Sequence, residues 1–222
     1  MCHEVTEQVA TSLEHDPVDL LVSYHPLLFE PSTSLVSGRS PADRVFRLIR
    51  AGVALVTVHT AFDVVAGGAA DALADAIGLH NSQDLPADAN SHLDPAVGAV
   101  GPVGRLIDPM PIVDLGNLVG EALGGTARVT RGGADPARTV AVIPGSGASY
   151  LAVAASVADA VVTGDVGHHK AREAADRGLT VIDPGHACTE RPGVARLYAA
   201  VAALGACRDL TAMDASPWEE PA

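Results

Sequence analysis

The chain has 222 residues, of which 48% are hydrophobic, enough for one large core or two small ones. Its formal net charge of -13 repels phosphate backbones, and aromatic residues at 3% are too few for base-stacking platforms, so composition argues against a nucleic-acid partner.

In chain order, VTEQVATSLE (5–14) has helical character and opens the chain where an α/β domain normally begins with a strand. Its MCHEVTEQVA start has neither the basic nor the apolar region of a secretory signal. VDLLVS (18–23) is a short apolar strand, followed by SYHP. SPADRVFRLIRAG (40–52) carries Val45, Leu48 and Ile49 at helical spacing and stops at Gly52. VALVTV (53–58) is apolar on both faces and suits a buried strand. GGAADALADAIGL (67–79) is an alanine-rich helix, and the polar run 80–95 is a loop or linker. PIVDLGNLVGEALGG (111–125) has a helical period, and ARVTR (127–131) is strand-like. Three strands then alternate with helices: TVAVI (139–143), AVVT (160–163) and LTVID (179–183). This rhythm predicts an α/β fold with parallel strands and right-handed crossovers, in two lobes spanning 1–95 and 96–222. The most apolar run, 151–162, is broken by Asp159 and is too short to span a bilayer. Cys2, Cys188 and Cys207 form no CxxC pair and read as reduced thiols of a cytoplasmic protein.

Open α/β sheets bind ligands beyond the carboxyl ends of their strands. Four of the five strand ends here carry histidine with, or near, a carboxylate: His25; His59 with Asp63; Asp165 with His168 and His169; and His186 with Glu190. Imidazole and carboxylate are the ligand set of zinc, iron, manganese and nickel. The spacings His59-x3-Asp63 and His186-x3-Glu190 place each pair on one face of a helix, or at one point of a strand-to-helix turn. A bland alternative stands beside each: His25 closes a loop before Pro26, Asp63 is a helix N-cap, and Glu190 complements a helix dipole. Cys188 reads as a buried bystander, and His3, His15, His80 and His92 as solvated side chains. Gly145 and Gly147, between strand and helix, have the look of a phosphate cradle without the full GxGxxG pattern. No GxSxG elbow is present.

Taken together, DLLVSYHPLLF, VALVTVHTAFDVVAGGAADALADAIGL, VIPGSGAS, ADAVVTGDVGHHKAREAADRGL and VIDPGHACTE resemble, in this order, the GTP cyclohydrolase 1 type 2 homologues. These are Nif-three-like proteins with dinuclear metal centres, and the resemblance runs from about Val5 to Leu204. It implies two similar α/β lobes with a metal site in the cleft between them, and a toroidal homohexamer holding up to two divalent cations per subunit. His25 matches the second of a histidine pair, Asp63 the aspartate of the second motif, and His186 and Glu190 the last motif; these four carry over as metal ligands. Tyr24 stands where the family has the first histidine of the pair. The implied activity is metal-dependent hydrolysis of a purine nucleotide, a GTP ring opening. His59, Asp165 and His168 would then carry protons, with Gly145 and Gly147 on the phosphate. The alternative is a non-catalytic metal-binding hexameric scaffold or regulator. The family has a further strand and helix ahead of residue 1, so the start reads as truncated, with a sheet edge exposed.

Overall fold

The computed structural model describes residues 1–38, 41–86 and 101–213. It divides into two compact units, Met1–Thr60 with Tyr198–Ala222, and Ala61–Leu197. The boundary expected at 95/96 lies outside the described residues. The observed division differs because the carboxyl-terminal segment rejoins the first unit: the Leu210 N–H donates to the Met1 carbonyl at 2.9 Å, and the Thr6 hydroxyl to that of Met213 at 3.0 Å.

The first unit contains α1 (Glu7–His15), β1 (Leu20–Ser23), α2 (Pro41–Ala51) and β2 (Ala54–Thr57). Thr6 caps α1, its hydroxyl accepting from the Val9 N–H at 3.2 Å, and Val9, Ala10 and Leu13 form the buried stripe. Arg47 of α2 donates to the Thr11 hydroxyl at 2.8 Å and to Glu14 at 2.7 Å, and also pairs with Glu7, so one guanidinium joins the two helices. Strands β1 and β2 are parallel, in register from Leu20↔Ala54 to Ser23↔Thr57. Cys2 makes a parallel bridge to Ser23 on the other side of β1, so a short extended step precedes the helix that appeared to open the chain.

Leu21 and Leu55 face a core of Cys2, Val5, Val9, Leu13, Leu48, Val53 and Leu210. The opposite face of the sheet is open, with Leu20 51% and Val56 47% exposed. The expectation that 53–58 is buried on both faces is thus corrected: among the described residues one apolar layer covers this sheet.

The second unit is a six-stranded sheet with helices on both faces. Its elements are α4 (Ala69–Ala76), β3 (His80–Asp84), β4 (Pro102–Met110), α5 (Ile112–Leu123), β5 (Arg128–Val129), β6 (Ala137–Ser146), α6 (Leu151–Val157), β7 (Ala160–Gly164), α7 (His168–Asp176), β8 (Thr180–Asp183) and the start of α8 (His186–Ala202). The five-residue α3 (His59–Asp63) leads into it. Strand order is β3-β4-β6-β7-β8-β5. The β6-β7-β8 core is parallel, as the crossovers require, while β3, β4 and β5 join antiparallel, so the sheet is mixed.

Alternation along β6 builds two layers. Val140 and Val142 face Leu73, Leu115 and Val119 of α4 and α5, whereas Ala141 and Ile143 face Leu151, Ala154 and Ala174 of α6 and α7. Three assignments change. Residues 80–84 form β3 rather than a loop, 102–110 form β4, and α8 begins at His186, making HACTE helical.

Asp159 ties the starts of β6 and β7 together. Its carboxylate accepts from the backbone N–H groups of Arg138 at 2.8 Å and Thr139 at 2.9 Å, and from the Thr139 hydroxyl at 2.9 Å. Burial pushes this carboxyl up, but the donors outweigh burial and hold it below the usual aspartate range. Asp159→Ala is expected to destabilise the protein by about 1–3 kcal/mol at pH 7. A depressed native value contributes its stability fully above the unfolded-chain pKa of about 3.9. That contribution fades as pH falls through the native value, so the gap between parent and variant in denaturant unfolding should begin to narrow below about pH 4 and shrink further as the pH drops.

Candidate metal centre

In the first unit, three adjacent extended segments end on a histidine. The His25 N–H donates to the His3 carbonyl at 2.9 Å, and the His59 N–H to the Tyr24 carbonyl at 2.9 Å. Parallel neighbours lie about 4.8 Å apart, so aligned side chains meet. The His3 and His25 rings are 4.6 Å apart, His25 and His59 5.4 Å, and Phe29 lies 6.0 Å from both His25 and His59. His25 is 5% exposed, and its Nδ1 is 2.9 Å from a Glu4 carboxylate oxygen. In the neutral tautomer that donates from Nδ1, Nε2 is the ring's acceptor nitrogen. Tyr24 is fully buried. His59 adopts φ 36, a left-handed conformation uncommon outside glycine and characteristic of constrained sites. Asp63 ends α3, four residues after His59, and is half-buried.

In the second unit the key pair opens α8. His186 Nε2 lies 3.1 Å from an oxygen of Glu190, one turn on, and His186 Nδ1 lies 2.7 Å from Asp165. Glu190 is 3% exposed. The Glu190 carboxylate holds the His186 imidazole above its ordinary value; burial opposes this and Asp165 adds to it. A neutral imidazole has one N–H but here faces a carboxylate on each ring nitrogen. A second proton or a cation reconciles the arrangement, and 3.1 Å suits two donors held side by side on one ion. The donor set therefore fits a divalent metal, with Asp165 fixing the ring as outer carboxylates do in such sites.

Glycines make the space. A Cβ on Gly145 would stand 2.6 Å from Glu190 Oε1 and 3.3 Å from His186 Nε2, and its φ of +63 also disfavours any side chain. A Cβ on Gly164 would meet the N and Cα of His186 at 2.6 Å. The anion-cradle reading of Gly145 and Gly147 meets a different picture: their N–H groups donate to the hydroxyls of Thr189 at 2.9 Å and Thr163 at 2.8 Å. Gly145 leaves room for Glu190 and His186 instead, and Gly147 packs against Thr163 and Ile143.

The sequence-derived residues thus gather as His25 with His59, and as Asp165, His186 and Glu190 beside Gly145. His168 stands apart from the His186 group: it is exposed at the start of α7, its ring 5.3 Å from His169. Cys188 packs against the core over α5, in keeping with a bystander. His3, read as solvated, is half-buried against Tyr24 and His25, and Glu4 was missed. The available signal was positional: His3 follows an apolar step and precedes an N-cap, the same place His25 and His59 occupy after their strands.

Comparison with known proteins bears on this arrangement. Residues 1–213 match the family model described as Duf34/NIF3 (NGG1p interacting factor 3). The chain is 35% identical to a "GTP cyclohydrolase 1 type 2 homolog" of Nostoc sp. over 81% of its own length and 67% of the relative's. It is 32% identical to the protein of that name from Methanothermobacter thermautotrophicus, over 92% and 75%. The crystal structure of a Bacillus cereus protein related to NIF3 shares its fold, with a TM-score of 0.77 at 20% identity, covering 90% of this chain and 80% of that one. A match spanning 1–213 takes in both histidine-bearing units, and the chain belongs to the Duf34/NIF3 family.

Proposed function

We propose that the chain is a divalent-metal protein drawing its ligands from His25, Asp63, His186 and Glu190, and that it acts as a metal-dependent hydrolase on a purine nucleotide, of the GTP ring-opening class. The observation that carries this reading is the buried Glu190 carboxylate against His186, with Asp165 on the other ring nitrogen. A bound divalent ion supplies a water of lowered pKa and positive charge against a developing oxyanion. Glu190 and His186 hold their donors in place, and Asp165 keeps the His186 ring oriented through Nδ1. His59 serves as the proton carrier. We further propose a cytoplasmic homohexamer; the exposed apolar residues Leu20 and Val56 of β1 and β2 support self-association, and a cysteine set without a CxxC pair supports a reducing compartment. No described helix is long and apolar enough to cross a membrane.

A second reading, a non-catalytic metal-binding scaffold or regulator, is favoured by one observation: the Gly145 and Gly147 amides are engaged by threonines rather than open to a phosphate. The test is elemental analysis and light scattering of the purified protein, with GTP turnover followed by chromatography. His186→Ala is expected to lose bound metal and at least tenfold in turnover. Metal-loaded parent protein without turnover would leave the scaffold reading, and parent protein that retains no metal would remove both.

A further inference from the structure

We propose that His3 supplies the second imidazole of the metal site, doing the work for which Tyr24 is unsuited; this rests on the metal-binding reading above. Tyr24 directly precedes His25, but a phenol oxygen is a poorer donor to a divalent ion than an imidazole nitrogen. It is also fully buried, with its ring 5.5 Å from His3 and 6.0 Å from His59, so it acts as a wall behind the imidazoles. The nitrogen donors come from the neighbouring segment instead. Cys2 pairs in parallel with Ser23, and the next backbone bond, from the His25 N–H to the His3 carbonyl at 2.9 Å, brings His3 alongside His25.

The consequence is a ring separation of 4.6 Å, with ligating nitrogens of the two histidines within 4.8 Å of each other. Nitrogens bound at about 2.0–2.1 Å to one tetrahedral ion stand roughly 3.4 Å apart, a separation that a modest turn of either side chain reaches from here. The backbone supports the placement on both sides. Thr6 caps α1 three residues after His3, and the Met1 amino group donates to the Arg208 carbonyl at 2.7 Å, so the short segment bearing His3 is held at both ends. Glu4, next to His3, orients His25 through Nδ1. One tripeptide, Cys2-His3-Glu4, thereby contributes a strand pairing, a ligand and an orienting carboxylate.

The experiment uses cobalt(II) and zinc as probes on the full chain. Affinity is measured by competition with a chelator, and the visible cobalt spectrum reports ligand type. His3→Gln is expected to weaken binding about 10–100-fold, the range seen when a site's donors or their supports are removed, and to alter the cobalt bands. Tyr24→Phe should leave the cobalt bands, which report the imidazole donors, unchanged. The double variant His3→Gln with Tyr24→His should regain affinity, because an imidazole returns beside His25. X-ray absorption at the cobalt edge of the unaltered protein needs no variant, and is expected to count more imidazoles than the two of His25 and His186. Parent affinity and spectrum in His3→Gln, with loss in His25→Ala, would overturn the role of His3 while leaving the metal site standing. Parent protein that takes up neither probe would overturn the metal reading itself.

Discussion

Gly164→Ala is expected to lower stability by about 3 kcal/mol or more, a fall in Tm of roughly 6–12 °C, and to weaken metal binding. The added Cβ would sit 2.6 Å from both the N and Cα of His186 and 2.9 Å from the carbonyl carbon of Gly185. Carbon atoms at rest stand about 3.5–4.0 Å apart. A flexible side chain would swing away from such a clash, but here the obstacle is backbone at the start of α8. Either β7 bends or α8 retreats, and the second response carries His186 with it. Gly167→Ala, three residues on and with open space around its Cβ, is the control and should stay within about 1 kcal/mol. Differential scanning calorimetry separates the two; equal midpoints for Gly164→Ala and the parent would show that the contact relaxes freely.

Asp183→Ala should cost about 2–4 kcal/mol, because a buried carboxylate at the end of β8 organises both sides of the His186 site. Asp183 is 4% exposed; it accepts from the backbone N–H of Val166 at 3.1 Å, the N–H of Gly185 at 2.9 Å and Arg128 Nη2 at 2.5 Å. The first of these bonds fixes the turn that carries Asp165, and the second fixes the entry to His186. Arg128 is 76% exposed, so its lost partner is replaced by water and contributes little. The penalty comes from the two orphaned amides. Urea unfolding measures it, and Asp183→Asn, which keeps one carbonyl oxygen in place, should lose less than Asp183→Ala. A variant as stable as the parent would show that these amides find other acceptors.

The parallel core of the second unit was legible because buried parallel strands are written as unbroken apolar runs, and 139–143, 160–163 and 179–183 are such runs. β3 was not: HNSQD is exposed at every position, so its pairing with β4 leaves no hydropathy signal. β4 was hidden by Gly104 and Pro109, which break the pattern of a strand; Gly104 is required there because a Cβ would press on Leu79 and Ser82 at 2.9 Å. The site was legible at His186 and Glu190, whose spacing survives as one helical turn. Asp165 was expected to carry protons; the structure places its carboxylate 2.7 Å from Nδ1 of His186. His3 escaped detection because a two-residue extended step is too short for any periodicity, and only the backbone bonds to Val22 and Tyr24 reveal it.

The three histidines that close adjacent segments of the first unit also make its strand alignment readable from outside. Sliding β2 by a single residue would carry His59 about 3.3 Å along its neighbour and turn its ring to the opposite surface. Imidazole clustering therefore acts as a proofreading mark: only a chain threaded in the correct frame brings all three rings side by side.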